Sequence, residues 1–135
     1  MRKTVFTILM CMMCLISFAQ APHKPAVMFS FMNNYVILTE SICDAKGYNG
    51  TTPLCVFVKC DTKSNTAKIA RVEPLKNTET PGYFKSVIQN MIPKYAGLNF
   101  DDYDQVDCVS GATYSSRAVK ENIKAAYQYF IEKRR

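Results

Sequence analysis

The sequence has no tryptophan and only one histidine, His23, among its 135 residues. With a single histidine, the chain lacks the residue type on which Ser-His-Asp hydrolases, Cys-His proteases and most zinc centres depend. We expect a solvated, idle side chain for His23, because it lies between Pro22 and Lys24 near the start of the chain. There is also no catalytic carboxylate pair and no internal repeat. These absences argue against an independent hydrolytic or metal-dependent reaction.

The charge is basic overall but unevenly placed. The formal net charge is +6, whereas residues 22–113 carry nine basic and nine acidic side chains and are neutral. The excess lies at the N-terminus and in residues 114–135, which carry +4. No basic face interleaved with aromatic residues runs through the chain, so we predict no nucleic-acid partner. A hydrophobic content of 48% and a charged content of 21% are typical of one globular domain.

The first 21 residues have the pattern of a secretory signal peptide. Arg2 and Lys3 are positive, residues 5–18 are apolar, and Ala19-Gln20-Ala21 has the small residues that a signal peptidase reads. We predict cleavage after Ala21 and a protein that works in the periplasm or at the extracytoplasmic face of the membrane. The alternative is an uncleaved N-terminal anchor, for which fourteen apolar residues are short because a bilayer requires about 20.

Export would leave four cysteines in the mature chain: Cys43, Cys55, Cys60 and Cys108. Their spacing does not resemble a zinc site, and four cysteines permit three complete pairings. An oxidising compartment permits a disulfide, for which we expect Cys43 with either Cys55 or Cys60. The sequence does not choose between the pairings.

Four segments rich in β-branched and aromatic residues predict strands at 27–31, 35–42, 54–60 and 67–72. Asn33-Asn34 and the polar run 61–66 predict turns. We expect a small antiparallel sheet of three to four strands. The chain is then divided into a signal peptide, a lead-in and a functional domain: residues 1–21, 22–34 and 35–135.

Two helices are predicted after the sheet, which makes the fold class α+β. The first begins with Thr80 as its N-cap and Pro81 as its first residue, and Pro93 ends it. Its apolar stripe is Phe84, Val87, Ile88 and Met91. The second begins near Ser115 or Ser116, either of which can cap it, and runs to about Ile131. Its predicted buried face is Val119, Ile123, Ala126, Tyr127 and Phe130.

The segment Asp107-Cys108-Val109-Ser110-Gly111-Ala112-Thr113 precedes the second helix. Gly111 permits a sharp turn or a close approach to a ligand. Ser110 and Thr113 provide hydroxyl groups, and the first backbone N–H groups of a helix have no acceptor within it. Such a helix start favours an anion such as phosphate, although a simple cap would explain the same residues.

The same segment resembles the flavinylation motif of the FMN-binding domain family, Asp-x-x-Ser/Thr-Gly-Ala-Thr. All five specified positions match: Asp107, Ser110, Gly111, Ala112 and Thr113. Residues 47–50 are similar to the family's Gly-Tyr-x-Gly turn, and residues 79–82 to its Glu-Thr-Pro-Gly loop. The resemblance extends from about Tyr35 to Phe130.

This resemblance implies FMN as cofactor, joined by a phosphoester to the Thr113 hydroxyl. A separate flavin transferase would attach it after export and would recognise Asp107 and residues 110–112. The loop of Glu79, Thr80, Pro81 and Gly82 would lie against the flavin ring. Where the family's large subunits continue this loop as Gly-Leu-Gly, this chain has Tyr83 and Phe84 after Gly82.

Because the loop differs from the family at these positions, the resemblance does not determine which residues contact the flavin ring. Tyr83 or Phe84 is a candidate to stack on the flavin, but Phe84 also fits the apolar stripe of the first helix. Tyr114 is either a neighbour of the ring or an ordinary surface residue. Cys108 invites a redox role, but we expect a partly buried position without one.

The first functional hypothesis is an exported electron carrier, rather than a stand-alone enzyme, whose partner is a redox protein or membrane electron-transport complex. The second is a binding or sensory module that holds FMN without a covalent bond. The third is a disulfide-stapled secreted domain in which the helix start is only capped.

Overall fold

The structure is a computed structural model that describes residues 26–135. The predicted signal peptide, residues 1–21, lies outside the described residues. Four strands come first: β1 (Met28–Phe31), β2 (Asn34–Leu38), β3 (Leu54–Asp61) and β4 (Thr66–Pro74). Two α-helices and two short 3₁₀ helices follow: α1 (Pro81–Asn90), the 3₁₀ helices Ile92–Tyr95 and Phe100–Gln105, and α2 (Thr113–Arg134).

The strands form one antiparallel sheet in the order β1-β2-β3-β4, as predicted. The first turn is made by Met32 and Asn33 rather than by Asn33-Asn34, with Met32 at φ 53°. The second strand ends at Leu38 rather than at residue 42. It ends there because the Thr39 carbonyl accepts hydrogen bonds from the N–H groups of Ile42 and Cys43, which curl the chain out of the sheet.

Every second residue of β3 contributes a buried side chain to the hydrophobic core. Leu54, Val56 and Val58 are at most 1% exposed and pack beneath the helices. The strand has a neighbour on each side, so its backbone is paired along both edges. This central position explains the nearly continuous apolar sequence of residues 54–60.

Helix α1 begins as predicted, with Thr80 at the N-cap and Pro81 at the first position, although the Thr80 hydroxyl makes no capping bond. Phe84, Val87 and Met91 are buried. Ile88 is 39% exposed, so its predicted place in the buried stripe is wrong. The helix ends at Asn90, and Pro93 lies in the 3₁₀ helix that follows.

Helix α2 contributes a further set of buried side chains to the core. Its buried apolar residues include Val119, Ile123, Ala126 and Phe130, as predicted, while Tyr127 is half-buried. Side chains from the sheet and from both helices form one cluster, which confirms the α+β arrangement. None of the helices in residues 26–135 has the length and apolar character needed to cross a bilayer.

All four cysteines of the described residues are free, so the predicted disulfide between Cys43 and Cys55 or Cys60 is absent from this structure. Cys60 faces the core cluster, whereas Cys55 is buried on the opposite side of the same strand. Cys108 is exposed rather than partly buried. Burial raises the pKa of the Cys55 and Cys60 thiols.

Labelling of the folded protein with a thiol reagent at mildly alkaline pH should therefore proceed in stages. Cys108 should react first, half-buried Cys43 more slowly, and Cys55 and Cys60 only after unfolding, because a buried thiol forms little thiolate. Mass spectrometry of labelled peptides measures the order. Cys108→Ser should remove the fast phase alone, and a resistant pair of thiols in unfolded, unreduced protein would contradict the free state.

Candidate functional site

An open cleft lies where α2 begins. Three segments line it: the turn that contains Tyr48, the first turn of α1 at Tyr83, and residues 111–115. Its volume is about 270 Å³. The residues that line it are Tyr48, Tyr83, Gly111, Ala112, Thr113, Tyr114 and Ser115. The structure thus brings the second half of the segment 107–113 together with aromatic residues from two distant parts of the sequence.

The entry into α2 depends on Gly111. Its φ of +82° lies in the left-handed region, which glycine adopts at little cost, and a Cβ atom there would meet no neighbour within 4 Å. The conformation, rather than lack of space, therefore favours glycine. The Ala112 N–H donates to the Val109 carbonyl at 3.1 Å and closes this tight turn. Thr113 follows as the first helical residue, with an exposed side chain.

The predicted caps are wrong, because α2 begins at Thr113 and its N-cap is Ala112. The Ser116 hydroxyl instead accepts a hydrogen bond from the Val109 N–H at 3.0 Å and fixes the preceding loop. The Ser116 N–H is not free, because it donates to the Ala112 carbonyl at 3.0 Å.

No side chain within residues 26–135 caps α2. Helical geometry leaves the N–H groups of Thr113, Tyr114 and Ser115 without an acceptor inside the helix. The Ser115 side chain is 1% exposed, and its hydroxyl has no hydrogen-bond partner among residues 26–135. Since Ser115 also lines the cleft, the cleft adjoins both a buried hydroxyl and the unused backbone donors of α2.

Three tyrosines also line the cleft. The rings of Tyr48 and Tyr83 lie 5.8 Å apart between centroids and are tilted by 45°. Both side chains are largely exposed, at 64% and 54%. Tyr114 also lines the cleft. Phe84 is only 5% exposed and belongs to the core. Of the two residues after Gly82, it is therefore Tyr83 that lines the cleft.

Glu79 holds the turn that carries Tyr48. The Thr52 hydroxyl donates to Glu79 Oε1 at 2.8 Å, and Gly47 packs so closely that a Cβ atom there would collide with the Glu79 carboxylate. The same turn is tied to the next loop by a reciprocal pair. The Asn49 side-chain amide donates to the Thr78 carbonyl at 2.9 Å, and the Thr78 hydroxyl donates to the Asn49 carbonyl at 2.6 Å.

Several residues of the predicted site do not line the cleft. Asp107 and Ser110 are exposed on the loop before α2. Glu79 is 7% exposed beneath the turn, and Thr80, Pro81 and Gly82 form the start of α1. Their role in binding a cofactor stays a prediction.

The structure adds two functional residues that were not predicted: Tyr48, which lines the cleft, and Ser115, whose buried hydroxyl has no partner in residues 26–135. Tyr48 lies in the Gly47–Gly50 turn, and an aromatic residue in a short turn bounded by glycines was the available signal. Nothing in the sequence distinguished Ser115 from Ser116. Both are buried, and the exact first residue of the helix decides which of them lines the cleft and which bonds the preceding loop.

Comparison with known proteins gives one match. The family model described as the FMN-binding domain matches residues 47–128. This range begins in the turn that carries Tyr48 and ends inside α2, so it contains every residue that lines the cleft. No curated protein matches the chain, and no solved structure does.

Proposed function

We propose a function on this premise: the chain belongs to the FMN-binding domain family, and FMN is its cofactor. The protein would be an exported flavoprotein that carries electrons, with FMN joined to Thr113 through a phosphoester. The observation that carries this proposal is the position of Thr113, an exposed residue that lines the cleft and begins α2, where the unused backbone donors lie.

The donor set at the start of α2 fits a phosphate group. The free N–H groups of the first turn point along the helix axis, and the N-terminus of a helix carries a partial positive charge of about half a unit. Ser115 adds a buried hydroxyl that has no partner among the described residues. A phosphate oxygen would satisfy both kinds of donor.

The charge of the cleft favours a phosphodiester. None of the lining residues is charged, so the helix start provides the only fixed positive potential among them. A phosphate monoester carries about −1.5 to −2 at neutral pH. A diester with Thr113 would carry a single negative charge, which a partial positive charge balances better.

The tyrosines that line the cleft fit an aromatic ring system. Tyr48 and Tyr83 offer two neighbouring ring faces at the surface of the cleft. The cleft is small and open, so it would hold part of the cofactor and leave the rest at the protein surface. An exposed ring edge suits electron exchange with a second protein.

When bound, FMN supplies one- and two-electron redox chemistry, and the chain supplies placement. The α2 N–H groups would hold the phosphate, and Thr113 would prevent the loss of the cofactor to the surroundings. Covalent retention is useful outside the cytoplasm, where a released flavin is diluted.

The proposed partners are a flavin transferase and a redox protein or membrane electron-transport complex. Helix α2 provides cationic side chains for docking on an acidic partner, including exposed Lys124, Lys133 and Arg134. Lys120 is less available, because its Nζ atom lies 3.2 Å from an Asp104 carboxylate oxygen. Export rests on the signal-peptide pattern of residues 1–21.

Coexpression with a flavin transferase tests the attachment. We expect the purified protein to stay yellow and to fluoresce in the gel after denaturing electrophoresis. Its intact mass should exceed that of the polypeptide by one FMN less one water. Colour that is lost on denaturation would contradict the covalent bond and support the module with non-covalent FMN. A protein that never binds flavin would overturn the electron-carrier proposal.

A further inference from the structure

Tyr48 and Tyr83 form a surface that we call the tyrosine wall. They come from different segments, the turn before β3 and the first turn of α1, and their ring centroids are 5.8 Å apart. Each ring is more than half exposed. The two rings are tilted by 45°, so a flat ring beside them can stack on one and contact the edge of the other.

The turn that carries Tyr48 is fixed by a buried carboxylate. Glu79 is 7% exposed, one of its oxygens accepts from the Thr52 hydroxyl, and Oε2 has no partner among residues 26–135. Burial of a partly satisfied carboxylate is unfavourable for folding. Its contacts with Thr52 and Gly47 fix the turn 47–52, so the position of Tyr48 depends on it.

We propose that the tyrosine wall stacks on the isoalloxazine ring of FMN, and that Glu79 is a positioning residue that holds Tyr48 rather than a contact of the ring. The inference rests on the proposed function, because it names the residues of the same cleft that would contact the flavin ring. It differs from the sequence-based expectation, in which the loop 79–82 itself lies against the ring. The Tyr83 ring reaches the cleft from the start of α1, and Glu79 stays beneath the turn.

An FMN titration tests the wall without requiring a covalent bond. The full chain is produced without a flavin transferase, and FMN is the probe. Tyrosine in contact with an excited flavin quenches its fluorescence by electron transfer, so the wild-type protein should quench bound FMN strongly. The double variant Tyr48→Leu/Tyr83→Leu should lose most of this quenching and bind FMN about tenfold more weakly.

Tyr129→Leu is the matched control, because Tyr129 lies near the far end of α2 and does not line the cleft. It should quench and bind as the wild type does. A double variant with unchanged quenching and affinity would overturn the wall while leaving FMN binding intact. Wild-type protein that neither binds free FMN nor acquires covalent flavin on coexpression with a flavin transferase would instead overturn the proposed function as well.

Variants of Glu79 separate positioning from simple stability. Glu79→Ala, in protein shown to be folded by circular dichroism, should reduce quenching at saturating FMN nearly as much as Tyr48→Leu does. Glu79→Gln should retain it, since an amide oxygen still accepts from the Thr52 hydroxyl. Adding Tyr48→Leu to Glu79→Ala should cause little further loss. Folded Glu79→Ala protein with wild-type quenching would refute the positioning role.

Discussion

Replacement of Thr113 by valine is expected to abolish covalent flavin completely. Valine has nearly the same shape as threonine but no hydroxyl, so no phosphoester can form at this position. The side chain is exposed at the first position of α2, and the free energy of unfolding should change by no more than about 0.5 kcal/mol. The measurement is in-gel fluorescence after coexpression with a flavin transferase, supported by the intact mass.

Thr62→Val is the matched control, because Thr62 is also exposed but lies in the turn between β3 and β4, away from the lining residues of the cleft. It should be labelled as fully as the wild-type protein. If Thr113→Val protein still fluoresces after denaturation, the acceptor is another hydroxyl, and Ser110 in the same loop is then the first to examine. Peptide mapping would locate it.

Thr39→Val is expected to destabilise the fold by about 2–4 kcal/mol. Thr39 is fully buried after β2, where its hydroxyl donates to Asn122 Oδ1 of α2 and accepts from the Leu54 N–H at 2.8 Å. The Asn122 amide also donates to the Ala118 carbonyl within the helix, at 2.8 Å. Valine would remove the partner of the buried Leu54 N–H and the partner of the buried Asn122 Oδ1 atom.

Thermal unfolding measures this loss. For a domain of this size we expect the midpoint to fall by about 10 °C, since 1 kcal/mol corresponds to roughly 4 °C or more. Thr39→Ser keeps the hydroxyl and should recover much of the loss, and exposed Thr62→Val should unfold like the wild-type protein. A Thr39→Val midpoint within a degree or two of wild type would show that the buried network adds little.

The effect matters for the site as well as for the fold. Thr39 joins the end of β2 and the start of β3 to the middle of α2, and α2 begins at Thr113. Loosening of that link should therefore loosen the helix whose first turn is proposed to hold the phosphate.

The sequence was a good guide to the elements and a poorer guide to their ends. The nearly continuous apolar run 54–60 and the Thr80-Pro81 pair placed a strand and a helix start correctly, because both signals are local. The end of β2 was misplaced by four residues, since a turn formed around the Thr39 carbonyl overrides the β-propensity of the residues that follow. Ile88 fitted the helical period but lies beyond the edge of the covered face.

The candidate site was also predictable only in part from the sequence. Residues 107–113 are contiguous, so their pattern was visible in the sequence, and the family match over residues 47–128 agrees with the cofactor that the pattern implied. The aromatic half was not visible as a unit. Tyr48 and Tyr83 are separated by two strands, and only the packing of the turn against the start of α1 brings their rings together.

By itself, then, the sequence determined the α+β class, the family and FMN as cofactor, because these follow from local periodicity and from one contiguous motif. Tertiary structure alone decided that Ser115, at the start of α2, keeps a buried hydroxyl with no partner in residues 26–135, which tyrosines share the cleft, and that Glu79 lies beneath the turn. The physical reason is that burial and hydrogen-bond pairing are properties of segments distant in the chain, and no local pattern encodes which of them will meet.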